Sequence, residues 1–298
     1  FMMYQMTFAV ITVALVAGAV ADRMRFSAFL WFVAGWLLLV YVPIAHWVWG
    51  GGFLATAGLL DFAGGTVVHL NAGIAGLVAC IVLGARRGYG TDNLAPYDLS
   101  LAVIGTGLLW VGWFGFNGGS ALSAGPRAGY AILATHLAAC AGVLTWMLLE
   151  WWDRGKPSVL GMISGAIAGL GTITPASGYV LPWHGIVIGI AAGCTKLKTK
   201  LGYDDSLDVF GVHGIGGATG TMLAGVFAVA AVGETAGLLE GNSQQVLIQF
   251  YGVGATLLWS GIATFALLKV IGFFIPLRVR DEDERIGLDV ALHGESLQ

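Results

Sequence analysis

The stretch "DFAGGTVVHLNAG", residues 61–73, sets an aspartate and a histidine eight residues apart in a chain that is otherwise almost wholly apolar. A second stretch, "GVHGIGGATG" at 211–220, repeats its histidine pattern. Valine precedes each histidine (Val68 and Val212), and glycine follows at plus four and plus seven (Gly73 and Gly76; Gly217 and Gly220). The surrounding sequence of 298 residues is 57% hydrophobic and only 10% charged, with 47 glycines. Soluble domains carry about 25% charge, so the chain is read as an all-α polytopic membrane protein. A formal net charge of −3 and the lack of a long basic run give no footing for nucleic-acid binding. Cys80, Cys140 and Cys194 stand singly in apolar runs, without metal or redox spacing, and read as reduced packing residues.

A spanning helix needs roughly 20 apolar residues. Nine spans meet that rule, at about 2–21, 26–49, 62–84, 99–121, 128–152, 158–178, 180–198, 209–232 and 246–276. Pro43, Pro175 and Pro182 fall near span ends, where a missing N–H does least harm. Gly161, Gly165 and Gly169 form one helical stripe suited to close helix packing. Short cytoplasmic loops collect Lys and Arg. Twelve of the fourteen basic residues fall in the odd-numbered loops and the tail: "DRMRF", "ARRGYG", "DRGKPS", "KLKTK" and "LRVRDEDER". Arg127 is the exception, and Lys269 lies in the last span towards the same end. The odd loops and the C-terminus are therefore expected in the cytoplasm, with residues 1–276 as a transmembrane domain and 277–298 as a cytoplasmic tail. The opening residues lack the features of a signal peptide, and further residues are expected upstream of Phe1.

The two histidine stretches sit five passes apart, so they run in opposite directions. That is the pattern of an inverted repeat, whose halves are related by an axis in the membrane plane. Such an axis lets His69 and His213 meet only near the midplane. At 1.5 Å per residue, His69 lies about 10 Å past the start of its span and His213 about 6 Å past its own. The pair therefore needs the eighth helix to begin earlier, within "DDSLD", or to sit deeper.

Ionisable residues inside a membrane are costly and are functional candidates by default. Each histidine can be satisfied structurally by a carbonyl or a neighbouring helix; the repeat favours a shared function. A metal site needs three or four ligands, and none stand at ligand spacing. Asp61 and Asp208 read as N-caps of the third and eighth segments, and Asp61 could also draw a cation towards an outer vestibule. Trp31, Trp47, Trp146, Trp151, Trp152 and Trp259 read as interfacial anchors. Trp49 differs, because glycines follow it in "VWGGG". "WVGWFGFNGGSA" brings Trp113, Phe116 and Ser120 into the fourth span, where ring faces attract cations and a hydroxyl accepts hydrogen bonds.

Six ordered blocks, "PIAHWVWGGG", "DFAGGTVVHLNAGIAGLV", "GWFGFNGGSA", "SGAIAGL", "TPASGYV" and "DVFGVHG", resemble the ammonium transporters of the Amt/Mep/Rh superfamily, of the bacterial or archaeal Amt type. The resemblance spans essentially the whole chain. It implies a fold of eleven helices in two inverted halves, of which these nine passes match the third to the eleventh. By that resemblance Trp49, Ser120 and Phe8 form an external ammonium site. Phe8 and Phe116 are then stacked rings that close the pore, and His69 and His213 are twin imidazoles lining it. Trp113 and Thr174 match further pore-side positions, and Asp61 lies under the outer site. A homotrimer in the inner (plasma) membrane is implied, with a PII-type signal protein as a partner on the cytoplasmic face. No cofactor is implied. The rival readings are an electroneutral ammonia channel, an ammonium sensor, and a membrane enzyme, the last lacking any nucleophile or metal beside the histidines. A reporter fused to the C-terminus is expected on the cytoplasmic side: fluorescent protein should glow there and alkaline phosphatase should stay inactive.

Overall fold

The computed structural model describes residues 1–194 and 202–296. The "KLKTK" loop and the end of the expected seventh span lie outside the described residues. Among those described, the only β-structure is an isolated bridge between Met24 and Arg278. The helices are α1 (Met2–Val20), α2 (Phe26–Trp36), α3 (Val42–Trp49), α4 (Asn71–Leu83), α5 (Leu99–Gly119), α6 (Pro126–Arg154), α7 (Val159–Ile173), α8 (Pro182–Gly193), α9 (Gly216–Phe227), α10 (Gln244–Phe274) and α11 (Asp281–Ile286). Of four π-helical segments among the described residues, Leu37–Tyr41, Gly65–Leu70 and Phe210–Ile215 lead into α3, α4 and α9, and Asp289–His293 lies in the tail.

Among the described residues, six segments are long and apolar enough to cross a membrane: Met2–Val20, Phe26–Thr56, Gly65–Leu83, Leu99–Gly119, Pro126–Arg154 and Gln244–Phe274. The expected sixth, seventh and eighth spans are not among them: the sixth is a helix of 15 residues, the described part of the seventh is one of 12, and the eighth is a π-helical segment of 6 residues followed by a helix of 12. Residues 174–181, between the first two of these helices, form a largely buried turn that contains Pro175, which lacks an N–H.

Pro43 is not at an end. It sits in the continuous 26–56 run, just after the π-helical segment. Proline leaves the carbonyl four residues back without its donor; here that carbonyl, Leu39, accepts the Trp259 indole N–H at 3.1 Å. A neighbouring helix thus restores the bond, as membrane interiors require. Trp259 serves this purpose, and Trp146 is 7% exposed against the glycine stripe rather than at an interface. The stripe packs as expected: Gly165 faces the Gly142 backbone and Gly169 faces that of Ala138.

The inverted repeat is visible in the packing. α1 lies on α4 as α7 lies on α9, and each histidine segment crosses the helix that follows the other. A Cβ on Gly73 would strike the backbone of Gly214. A Cβ on Gly217 would come 2.6 Å from the Gly65 carbonyl and 2.9 Å from the His69 Cβ. The glycine four residues past each histidine therefore admits the other histidine segment.

Helix starts resolve the depth mismatch, though not through an earlier start of the eighth segment, which begins at Phe210 rather than within "DDSLD". The third segment begins at Gly65 rather than residue 62, so His69 lies four residues past its start and His213 three past Phe210. Asp208 accepts the Gly211 N–H at 3.1 Å, as expected of a cap, and Asp205 adds a bond from the Phe210 N–H at 2.8 Å.

The tail packs against the first loop. Val279 N–H donates to Arg23 at 3.0 Å, and Arg25 N–H donates to Leu277 at 2.8 Å. Nearby, Arg86 grips Asp204 through Nε and Nη2 and reaches Asp22 at 2.8 Å. Burial works to raise the Asp204 carboxyl, but the Arg86 hydrogen bonds outweigh it and hold the group below the usual carboxylate range. That lock is present at neutral pH and is lost as acid protonates Asp204.

Gly73→Leu should cost about 3 kcal/mol or more through overpacking at a backbone crossing. Gly105→Ala, whose Cβ meets nothing within 4 Å, should be neutral or stabilising by up to about 1 kcal/mol. Thermal unfolding of the two variants in one detergent checks the contrast.

Candidate functional site

A column of rings runs from the end of α3 into the crossing of the histidine segments. Trp49 meets Phe8 edge-on at 5.3 Å between centroids, and Phe8 lies over Phe116 at 4.4 Å and 31°. Phe116 lies 6.4 Å from His69, whose ring stacks on Trp113 at 5.5 Å and 9°. His69 and His213 are nearly parallel at 5.2 Å and 12°, with their Nδ1 atoms 3.1 Å apart. All of the residues expected here are brought together. Phe8 and His69 are each 1% exposed.

Each member is held by something local. Trp49 donates its indole N–H to the Asp61 carbonyl at 2.9 Å. Trp113 donates to the Thr174 hydroxyl at 2.8 Å, which in turn donates to Leu170 at 2.7 Å. Ser120 donates to the Phe116 carbonyl at 2.9 Å. Tyr4, absent from the sequence reading, places its hydroxyl 2.9 Å from Ser120 and donates to Phe116 at 2.7 Å. Its signal was available: it stands one helical turn before Phe8. Gly171 is the other omission; a Cβ there would sit 3.6 Å from the His213 Nδ1 and 3.8 Å from that of His69.

Asp61 is buried and wholly engaged. Its carboxylate accepts the N–H groups of Gly64, Gly65, Thr66 and Val67 and the Thr66 hydroxyl. Gly64 supports this turn with a φ of +114°, where a side chain would also strike Val68. The carboxylate therefore faces the start of the His69 segment, not an open vestibule.

The histidine geometry limits its own chemistry. Two neutral rings can join Nδ1 to Nδ1 only if one donates and the other accepts. The Nε2 positions then differ, one bearing hydrogen and the other a lone pair. His69 Nε2 is buried and has no partner, leaving a polar group costing about 1–3 kcal/mol unmet. A small hydrogen-bonding molecule can meet it. Among the described residues, no three His, Cys, Asp or Glu side chains converge as metal ligands do.

Helices apolar enough to cross a membrane several times, folded around a buried ring column, define a polytopic membrane protein of the transporter and channel class. The model of the Ammonium Transporter Family matches residues 1–297. The chain is 50% identical over 303 residues to an ammonium transporter of Bacillus subtilis, covering 99% of this chain and 74% of the relative. It superposes on the crystal structure of Saccharomyces cerevisiae Mep2 with a TM-score of 0.87 at 39% identity, covering 93% of this chain and 66% of Mep2. A structure called a sensor Amt protein matches with a TM-score of 0.89 at 31% identity, over 97% of this chain and 75% of the other. The chain belongs to the ammonium transporter family.

Asp61→Asn should destabilise the ammonium-free protein by about 2–4 kcal/mol, because an amide turns a donor towards backbone N–H groups. A shift in the unfolding midpoint without substrate is expected; a rise in KM alone, with stability unchanged, would restore a role in attracting cations.

Proposed function

We propose that this protein moves ammonium across the membrane by binding it at the outer aromatic site and conducting it inward as ammonia. The observation that carries this reading is the Nδ1 pair at 3.1 Å, next to two phenylalanines tilted at 31° with centroids 4.4 Å apart, and with His69 Nε2 unmet.

The energetics favour this route. Taking a bare cation into a low-dielectric interior costs on the order of 20 kcal/mol before relaxation. A neutral polar molecule costs roughly 2–7 kcal/mol. Removing a proton from ammonium at pH 7, about two units below its pKa, costs about 3 kcal/mol. Shedding charge at the mouth is therefore cheaper than carrying it. Potassium is also drawn to ring faces but has no proton to release, so selectivity follows from chemistry rather than diameter.

The residues divide the work. Trp49 and Phe8 offer ring faces to the cation, and Ser120, with Tyr4 beside it, offers a hydroxyl acceptor. Phe8 and Phe116 close the path to ions. His69 and His213 offer one donor and one acceptor to ammonia, and their shared hydrogen bond gives the released proton a relay. Trp113 and Thr174 fix the His69 ring from behind. The relay makes transport carry charge, against an electroneutral gas channel. The transporter reading is preferred to a sensor because the Bacillus relative, at 50% identity, bears the transporter name. Family membership supports a homotrimer in the plasma membrane, with lipid around it, the C-terminus in the cytoplasm and a PII-type protein as a docking partner.

The test is current per ammonium in proteoliposomes for the wild type, His69→Ala and His213→Ala. Either substitution should cut the current about tenfold or more relative to ammonium flux. Undiminished coupling in both would remove the relay.

A further inference from the structure

Arg127 breaks the charge asymmetry of the loops, and nothing in the proposed path uses it. It stands at the start of α6, on the side that the asymmetry makes external. Its Nε donates to the Gly178 carbonyl at 2.8 Å. Its guanidinium carbon lies 5.1 Å from the ring centroids of both Phe62 and Tyr179. The two rings meet edge-on at 5.6 Å. Phe62 also donates its N–H to Pro175 at 3.0 Å, and its ring fills the space where Gly178 would carry a Cβ. The partners of the arginine are thus two ring faces, the Tyr179 side-chain hydroxyl and a carbonyl.

This cluster adjoins the outer site through one peptide bond. Phe62 follows Asp61, and the Asp61 carbonyl receives the Trp49 indole N–H at 2.9 Å. The orientation of that carbonyl depends on how the 61–62 peptide is held. Phe62 is gripped on its ring by Arg127 and on its N–H by Pro175, from the same turn that Arg127 ties down at Gly178.

We propose that Arg127 is a positioning residue for the outer cation site: it clamps the 175–179 turn onto Phe62 and thereby aims the Asp61 carbonyl that orients Trp49. The inference rests on the transport reading for its functional consequence, though not for its geometry. A planar guanidinium can donate to the carbonyl while lying near two rings. A lysine ammonium, a compact point charge, cannot do both.

Two measurements on the full chain test it. Methylammonium uptake should show KM raised about three- to tenfold in Arg127→Gln and Arg127→Lys, with maximal rate within about twofold of wild type. Trp49→Leu serves as the control for the outer site itself. In protein carrying 5-fluorotryptophan, the Trp49 signal, assigned by its loss in Trp49→Phe, should shift in both arginine variants while the Trp259 signal stays. If Arg127→Gln does not fold, Arg127→Lys carries both readings. An unmoved Trp49 signal, or a loss of maximal rate with KM unchanged, overturns the proposal. A wild type that takes up no methylammonium overturns the transport reading instead, and the fluorine signal then decides the positioning claim alone.

Discussion

The structure depends on two helix crossings made without side chains. Gly73 admits the backbone at Gly214, and Gly217 admits the segment from Gly65 to His69. In membranes, close approach of this kind replaces the hydrophobic drive that assembles soluble cores. The two crossings are related by the repeat, and they bring two histidines 144 residues apart in sequence to a Nδ1 separation of 3.1 Å. A side chain at either glycine would push the two histidine segments apart, and with them the rings. The π-helical turns that hold the histidines fit the same picture, since such turns concentrate where function re-aims a side chain.

Around that crossing, the polar groups fall into two kinds. Most are spent on structure: Asp61 on the first amides of its segment, Thr174 on Trp113, and Trp259 on the carbonyl freed by Pro43. His69 Nε2 is buried without a partner, whereas the hydroxyls of Ser120 and Tyr4 both donate to the Phe116 carbonyl and keep only oxygen lone pairs to offer. A buried polar atom left unmet costs about 1–3 kcal/mol, which a molecule hydrogen-bonded to His69 Nε2 would offset. Ammonia, which both donates and accepts, suits a pair of rings whose outward nitrogens differ in the same way.

Much of this was legible in the letters because periodicity and charge asymmetry survive without coordinates. The histidine-plus-four glycines announced the repeat, whereas the pairing of Phe8 with Phe116 above the histidines came from the resemblance of six sequence blocks to a known family. What the sequence hid were effects of three-dimensional partners. Pro43 read as a helix end because its compensating donor, Trp259, is 216 positions away in the chain. The depth of the histidines was misjudged because the third segment starts three residues late, after the Gly64 turn that the Asp61 carboxylate caps. Asp61 itself kept two readings until its oxygens were seen to be fully used. Tyr4 was passed over because a tyrosine near a span end reads first as an anchor. Span six was overcounted in length because apolar residues line a buried turn as readily as a helix.

The most direct test is nitrogen NMR of histidine-labelled protein in bilayers. The account predicts two neutral rings of opposite tautomer, with a coupling across one hydrogen bond between their Nδ1 atoms. Two rings of the same tautomer, or no coupling between them, would contradict it.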